Sequence, residues 1–131
     1  MSTNQQRSFE LRPNQTSMAF YEFLTSVVMQ CQRDFTKKAL KTRIRLFEIL
    51  DGSLPLAEKF RQELRQSLIR GQGDLPVTMI SDQQVIDLFK QVYQLLCAVL
   101  GPIHADEIVD RGLSDIHYNP KLRNYSFNHW L

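Results

Sequence analysis

Six basic side chains lie close together in the first third of the chain, where they could neutralise phosphates or carboxylates. Residues 33–45 carry these six with Asp34 as the only acid, a local net charge of 6 − 1 = +5. A spacing of four places several of them along one slowly rotating strip of a helix. No aromatic residue interrupts the strip to stack on a base. We predict a contact for nucleic acid or an acidic partner, or else a solvated helix face, at Arg33, Lys37, Lys38, Lys41 and Arg45.

A second charged segment has the opposite sign. Residues 102–116 carry Asp106, Glu107, Asp110 and Asp115 against Arg111, a net charge of −4 + 1 = −3. The basic and acidic segments could face each other inside the bundle or across a dimer, where ion pairs select partners more than they add stability. The alternative is that both are ordinary solvated faces.

Arg43 differs from the other basic residues because of its place in the apolar pattern. On a helical projection it falls between the apolar positions 39, 40, 46, 47 and 50. An arginine there must extend towards solvent, pair with an acid or bind a ligand.

The chain contains no arrangement typical of a catalytic or metal site. His104 and Glu107 stand one helical turn apart, but a di-metal bundle needs carboxylates and Glu-x-x-His pairs from several helices. Glycine-rich phosphate loops, nucleophile elbows and His-Glu-x-x-His are absent from the sequence. We therefore expect no catalytic residue, no cofactor and no metal. Cys31 and Cys97 are interpreted as reduced core thiols of a cytoplasmic protein.

Aromatic residues are concentrated at the C-terminal end. A single tryptophan and several other rings follow residue 117, mixed with asparagines and a histidine. Such side chains bury a large area and are enriched at interfaces. We predict a partner contact through Tyr118, Tyr125, Phe127 and Trp130. The alternative is that this extension folds back over its own bundle.

The elements that position these residues are helices. Apolar residues recur at spacings of three and four from Ser17 to Leu50, with a bend predicted near residues 33–36 and an N-cap at Thr16 or Ser17. Ala39, Leu40, Phe47 and Leu50 are expected to continue the buried stripe. Ser53 is predicted to cap the next helix, with Pro55 in its first turn and Gly71 at its end.

Two further helices complete the pattern. Ser81 and Gln84 form a predicted capping box ahead of a helix to about Leu100 that is apolar nearly all round, as in a central or interface helix. The last helix covers residues 102–116, and Gly112 on its inner face would permit close helix packing. We predict an all-α fold, one compact bundle of about five helices.

Length and composition agree with one domain. The chain has 131 residues, 43% of them hydrophobic, and a net charge of +2 that gives no reason to expect nucleic acid or membrane from bulk charge. Residues 1–16 are predicted to be a flexible polar tail and residues 17–131 a single helical-bundle domain. No apolar stretch is long enough to cross a membrane.

These observations favour a non-enzymatic protein-interaction or regulatory protein that self-associates or belongs to a larger assembly. Its partner would be itself or another protein, and not a membrane. One alternative is a nucleic-acid-binding regulator that uses the basic strip of residues 33–45. A second alternative is a small-ligand-binding bundle with a cavity among Phe20, Phe23, Phe60 and Phe89.

Overall fold

The computed structural model describes residues 14–71 and 74–131, and within them the chain is all-α. There are five α-helices in this part, and the predicted fold class is confirmed. The helices are α1 (Gln15–Asp34), α2 (Thr36–Ser53), α3 (Glu58–Leu68), α4 (Asp82–Leu100) and α5 (Pro102–Ile116). Short 3-10 turns follow at Pro120–Leu122 and Asn128–Trp130.

The first helix begins earlier than the sequence pattern indicated. The side-chain Oδ1 of Asn14 accepts hydrogen bonds from the backbone N–H and the hydroxyl of Ser17, both at 2.7 Å, so Asn14 is the N-cap and not Thr16 or Ser17. Residues 15 and 16 therefore belong to α1. Of the tail predicted over residues 1–16, residues 1–13 lie outside the described residues.

The predicted bend between α1 and α2 is confirmed at Phe35. This residue leaves helical geometry at φ −134° and ψ 51°, and its N–H donates to the Cys31 carbonyl. Neither glycine nor proline is present to cause the break. The ring of Phe35 packs edge-on against His104 at 4.9 Å between centroids, so tertiary packing replaces a local breaker.

The link between α2 and α3 differs from the prediction. Ser53 does not cap α3, because it is the last residue of α2. Leu54 is extended, as expected for a residue before proline, since the ring of Pro55 disfavours the helical region at the preceding position. The Leu56 N–H then donates to the Leu54 carbonyl at 2.9 Å, a tight turn about Pro55. Pro55 therefore lies ahead of α3 and not in its first turn, because Ala57 is the N-cap of that helix.

The capping box ahead of α4 is confirmed. The Ser81 hydroxyl accepts from the Gln84 N–H at 3.1 Å, and the Gln84 side chain accepts from the Ser81 N–H at 2.9 Å. Gly101 separates α4 from α5 with a φ of 87°, which favours glycine, and Pro102 is the first residue of α5.

The core lies where α1, α4 and α5 meet. Helix α1 packs on α5 and α2, and α4 packs on α2 and α5. Gly112 on α5 faces the ring of Phe23 on α1, in agreement with the prediction that this glycine permits close helix packing. Ala39, Phe47 and Leu50 of α2 are buried as expected, but Leu40 is 50% exposed, so the apolar stripe is narrower than predicted. Among the helices described, none is long and apolar enough to cross a membrane.

Candidate functional site

Some side chains of the predicted basic strip form hydrogen bonds or ion pairs within the chain, and others do not. Arg33 is exposed and donates to Asp34 through Nε and Nη2, both at 2.9 Å, and this pair lowers the pKa of Asp34. Lys38 Nζ donates to the Val99 carbonyl at 3.0 Å, where a cation complements the C-terminal end of α4. These two residues are therefore used within the chain.

The remaining members of the strip lie together on α2. Lys37 and Lys41 are exposed and form no ion pair among the described residues, and Arg45 approaches Glu48 at 3.8 Å. Two aliphatic side chains lie between them on the same face, Leu40 at 50% and Ile44 at 37% exposure. This surface is called the α2 face, and it consists of Lys37, Leu40, Lys41, Ile44 and Arg45.

Helix α5 carries a face with the same spacing and the opposite charge. Ile103 is 73% exposed at its start, and Glu107 and Asp110 follow on the same side. Glu107 lies 3.8 Å from His104, while Asp110 forms no ion pair within the described part of the chain. Ile103, Glu107 and Asp110 are called the α5 face.

No ion pair joins the two faces within the described residues. Among the described residues, one ion pair joins the two charged segments, but the basic segment supplies its acid and the acidic segment its base. Asp34 lies 3.9 Å from Arg111. Two other acids of α5 are engaged by neighbouring helices: Asp106 accepts from the Tyr93 hydroxyl of α4 at 2.6 Å, and Asp115 accepts from Ser26 of α1 at 2.6 Å.

The C-terminal aromatic residues are placed unevenly. Trp130 is 1% exposed, Tyr125 and Phe127 are half-buried against the core, and Tyr118 is 82% exposed. The extension therefore folds back over its own bundle, as the alternative stated. Partner contact by this set stays a prediction, and Tyr118 is the member whose ring is largely free to make one.

A chain of hydrogen bonds fixes the extension to two helices. Trp130 Nε1 donates to the Tyr125 hydroxyl at 3.2 Å, and that hydroxyl donates to Thr16 Oγ1 at 3.1 Å. Thr16 in turn donates to Asp82 at 2.8 Å. The polar atoms of the buried rings are thus satisfied where α1 and α4 begin.

The cavity predicted among phenylalanines is not present at that position. The Trp130 ring lies between 5.8 and 6.2 Å, centroid to centroid, from each of Phe20, Phe23 and Phe89. Phe60 packs elsewhere, half-buried on α3. The space is filled by the chain's own tryptophan.

A different cleft opens beside α1. It has a volume of about 780 Å³ and lies between α1, the end of α3 and residues 74–77. Its apolar wall includes Met29, which is 65% exposed, and Val77. Pockets of this size commonly hold small organic ligands.

The cleft wall also contains two polar side chains with unusual surroundings. Arg43 is half-buried, and its Nε is fully buried without a hydrogen-bond partner. Tyr21 is 3% exposed, and its hydroxyl is likewise buried and unpaired. Burial raises the pKa of Tyr21 well above its ordinary value, against a smaller opposing effect of the Thr78 backbone N–H. That amide lies near the phenol but forms no hydrogen bond of acceptable geometry, and it offers no acceptor to the phenol proton.

The remaining candidates give little chemistry. No three His, Cys, Asp or Glu side chains cluster within residues 14–71 and 74–131 in a way that would hold a metal. Cys31 is buried, which raises the pKa of its thiol to about 11, and Cys97 is half-buried. Both are free thiols.

Comparison with known proteins adds no family. No protein-family model matches the chain, and no curated protein or solved structure is significantly similar to it.

The sequence pattern indicates Arg43 as unusual from its place among apolar positions, but it does not indicate Tyr21, Leu40 or Ile44 as site residues. The helical pattern placed Leu40 in the core, and nothing in it separates an unpaired buried tyrosine from an ordinary core aromatic.

Proposed function

We propose that this protein is a non-enzymatic protein-interaction module that self-associates, with the α2 face of one copy docked on the α5 face of another. One observation carries the proposal: Leu40 and Ile44 are solvent-accessible aliphatic side chains set between lysines that have no acidic partner among the described residues. Apolar side chains ringed by charge are typical of a surface that another protein covers.

The α5 face has the opposite charge to the α2 face and the same helical spacing of its residues. Ile103 offers an exposed aliphatic side chain, and Glu107 and Asp110 offer carboxylates on the same side of α5. A second copy would therefore bring an aliphatic residue to Leu40 and Ile44 and carboxylates to the lysines. Complementary charges of this kind set the partner and the register more than the affinity.

The pattern on α2 favours protein over nucleic acid. Single strands are held by aromatic side chains that stack on bases, and duplexes by cations that reach phosphates. The α2 face interleaves aliphatic side chains and no aromatic one, and it contains only Lys37, Lys41 and Arg45 as free or weakly paired cations. Nucleic acid binding is the alternative that the same experiment examines.

The test uses charge reversal on each face. We expect light scattering over a concentration series to show a weak association of the wild type, in the micromolar range, that diminishes between about 0.05 M and about 0.5 M salt. The variant Lys37→Glu/Lys41→Glu and the variant Glu107→Lys/Asp110→Lys should each be monomeric. Their mixture should associate, because each reversed face then meets an oppositely charged one.

A variant with all four substitutions in one chain is the matched control. It has the same net charge as the wild type, and it should recover self-association. A wild type that stays monomeric at high protein concentration and low salt would overturn the proposal. So would a salt-dependent complex with a duplex oligonucleotide that Lys37→Glu/Lys41→Glu abolishes while self-association is absent.

A further inference from the structure

We infer that the cleft beside α1 binds a small monocarboxylate with an apolar body, with the carboxylate held by Arg43. This site is separate from the self-association surfaces, because no residue of the α2 face or the α5 face is among those that line the cleft. The proposal rests on the cleft, on an unpaired cation in its wall and on the sign of the charges around it.

The cation is the first element. Arg43 sits in the middle of α2 and is half-buried, yet its guanidinium forms no hydrogen bond and no ion pair with any residue in the described ranges. Nε is fully buried, so an acceptor must reach the outer nitrogens, and Nη1 lies at the Gly71 edge of the cleft. A partly desolvated guanidinium without a protein acceptor is unfavourable, and its planar fork suits a carboxylate.

The charge of the wall limits the ligand to one negative charge. The other arginine in the wall, Arg33, is already held by Asp34. Glu22 and Asp74 also line the cleft, and Asp74 forms no ion pair with Arg43. A dianion such as phosphate would gain one cation and meet two carboxylates. A monocarboxylate gains the same cation with less repulsion.

The body of the ligand follows from the rest of the wall. Met18, Val28, Met29, Leu75 and Val77 line the cleft, and they are half-buried or exposed. Methionine side chains adapt to ligands of irregular shape. Covering Met29 and Val77 would remove apolar surface from water, which an aliphatic body achieves and a small polar anion does not.

Tyr21 supplies a second, independent sign that the cleft is incomplete. Its hydroxyl is protonated near neutral pH, as any phenol is well below its ordinary pKa of about 10, and the phenol proton has no acceptor among the described residues. An unpaired donor in a wall that also holds an unpaired guanidinium is typical of a site that receives an acceptor. The hydroxyl is fully buried, so direct contact with the ligand would require a small movement of the Tyr21 ring.

Octanoate is the probe, and calorimetric titration of the wild type is the measurement. We expect one site, with binding at least about tenfold weaker for octan-1-ol, which keeps the body, and for acetate, which keeps the carboxylate. Inorganic phosphate should not bind. Arg43→Met retains the aliphatic stem and should weaken octanoate by about tenfold or more while leaving octan-1-ol unchanged.

Two further variants keep the result interpretable. Arg123→Met removes an exposed cation outside the cleft and outside both association faces, and octanoate should bind it as it binds the wild type. Met29→Glu, at an exposed position of the wall, should weaken octanoate without unfolding the chain. In amide NMR spectra octanoate should shift Thr25, Gly71 and Val77 and leave Lys41 and Asp110 in place.

Several outcomes would overturn the inference: no octanoate binding at millimolar concentration, equal binding of octanoate and octan-1-ol, or no effect of Arg43→Met. Chemical shifts spread over the α2 face would do the same, because they would indicate detergent-like adsorption on exposed aliphatic side chains. None of these outcomes bears on self-association, which the charge-reversal variants test at a different surface.

Discussion

Gly112 and Phe23 fix how closely α5 approaches α1. A Cβ built on Gly112 would lie 2.9 Å from Cδ1 and 3.0 Å from Cε1 of the Phe23 ring, closer than carbon atoms pack. That ring cannot withdraw, because it also packs against Phe20, Phe89 and Trp130. The absence of a side chain at Gly112 is therefore a condition for the present core.

Gly112→Ala should destabilise the protein. Alanine is favoured over glycine in a helix by about 1 kcal/mol, but overpacking a core typically costs about 1–3 kcal/mol. We expect a net loss of up to about 2 kcal/mol in the free energy of unfolding, measured by urea titration with circular dichroism.

Gly52 provides the matched control for that substitution. It lies in α2, and a Cβ there would meet nothing within 4 Å. Gly52→Ala should therefore be neutral or stabilise by up to about 1 kcal/mol, because only the helical preference acts. Equal effects at the two glycines would contradict the close approach of α1 and α5.

The sequence predicted this contact and several others because local pattern and tertiary packing agree there. Gly112 fell on an inward face, Ser81 and Gln84 had capping spacing, and the bend at Phe35 followed from a rotation of the apolar stripe. The prediction that Ser53 caps α3 is wrong. Pro55 disfavours helical geometry at Leu54, so a helix cannot start directly after Ser53 despite the preference of serine for N-cap positions.

The candidate surfaces were only partly predictable, since they depend on which side chains the fold leaves without partners. Lys37 and Lys38 are adjacent in sequence, yet Lys38 caps α4 while Lys37 is free. That distinction needs the position of the Val99 carbonyl. In the same way, Arg43 was recognisable as anomalous, but its cleft is assembled from residues of three helices and a loop.

Trp130 should be among the most costly positions to truncate. Its ring is buried among three phenylalanines, and its Nε1 donates to Tyr125. Trp130→Ala should lower the free energy of unfolding by about 3–5 kcal/mol, as for other large buried aromatics. Thermal and urea denaturation of the full chain measure this directly.

Tyr118→Ala is the comparison for the tryptophan variant. The Tyr118 ring is 82% exposed, so its removal should change stability by no more than about 0.5 kcal/mol. If Trp130→Ala were equally mild, the C-terminal extension would not be docked on the core in solution. Removing residues 118–131 as a block would merge these two effects, so single substitutions are the cleaner test of partner contact.

Stability should fall in alkaline solution because of Cys31. Burial raises the pKa of this thiol from 9.0 to about 11, and nearby Asp34 adds a smaller effect. Above pH 9 the unfolded chain therefore loses a proton that the folded chain keeps, which favours unfolding. The contribution is complete below pH 9 and is lost as the pH rises towards about 11.

Denaturation at a series of pH values, for the wild type and Cys31→Ala, isolates this effect. The variant should be less stable at neutral pH because of the cavity, but its stability should decline less between pH 9 and about 11. Burial also raises the pKa of Tyr21 from 10.0, so this residue adds to the decline above about pH 10 in both proteins. Parallel profiles for the two proteins would show that Cys31 is not buried as described.

Arg43→Met should stabilise the unliganded protein. In the wild type, Arg43 is half-buried with a fully buried Nε and no acceptor in the described part of the chain, so folding partly desolvates its charge without a compensating contact. Methionine fills similar space with apolar atoms. We expect an increase of about 0.5–1.5 kcal/mol in the free energy of unfolding, while Arg45→Met, at an exposed position, changes little.

A loss of stability on Arg43→Met would mean that the protein itself satisfies the guanidinium. A gain would mean that the chain retains Arg43 at the expense of its own stability, as expected of a residue that serves a ligand.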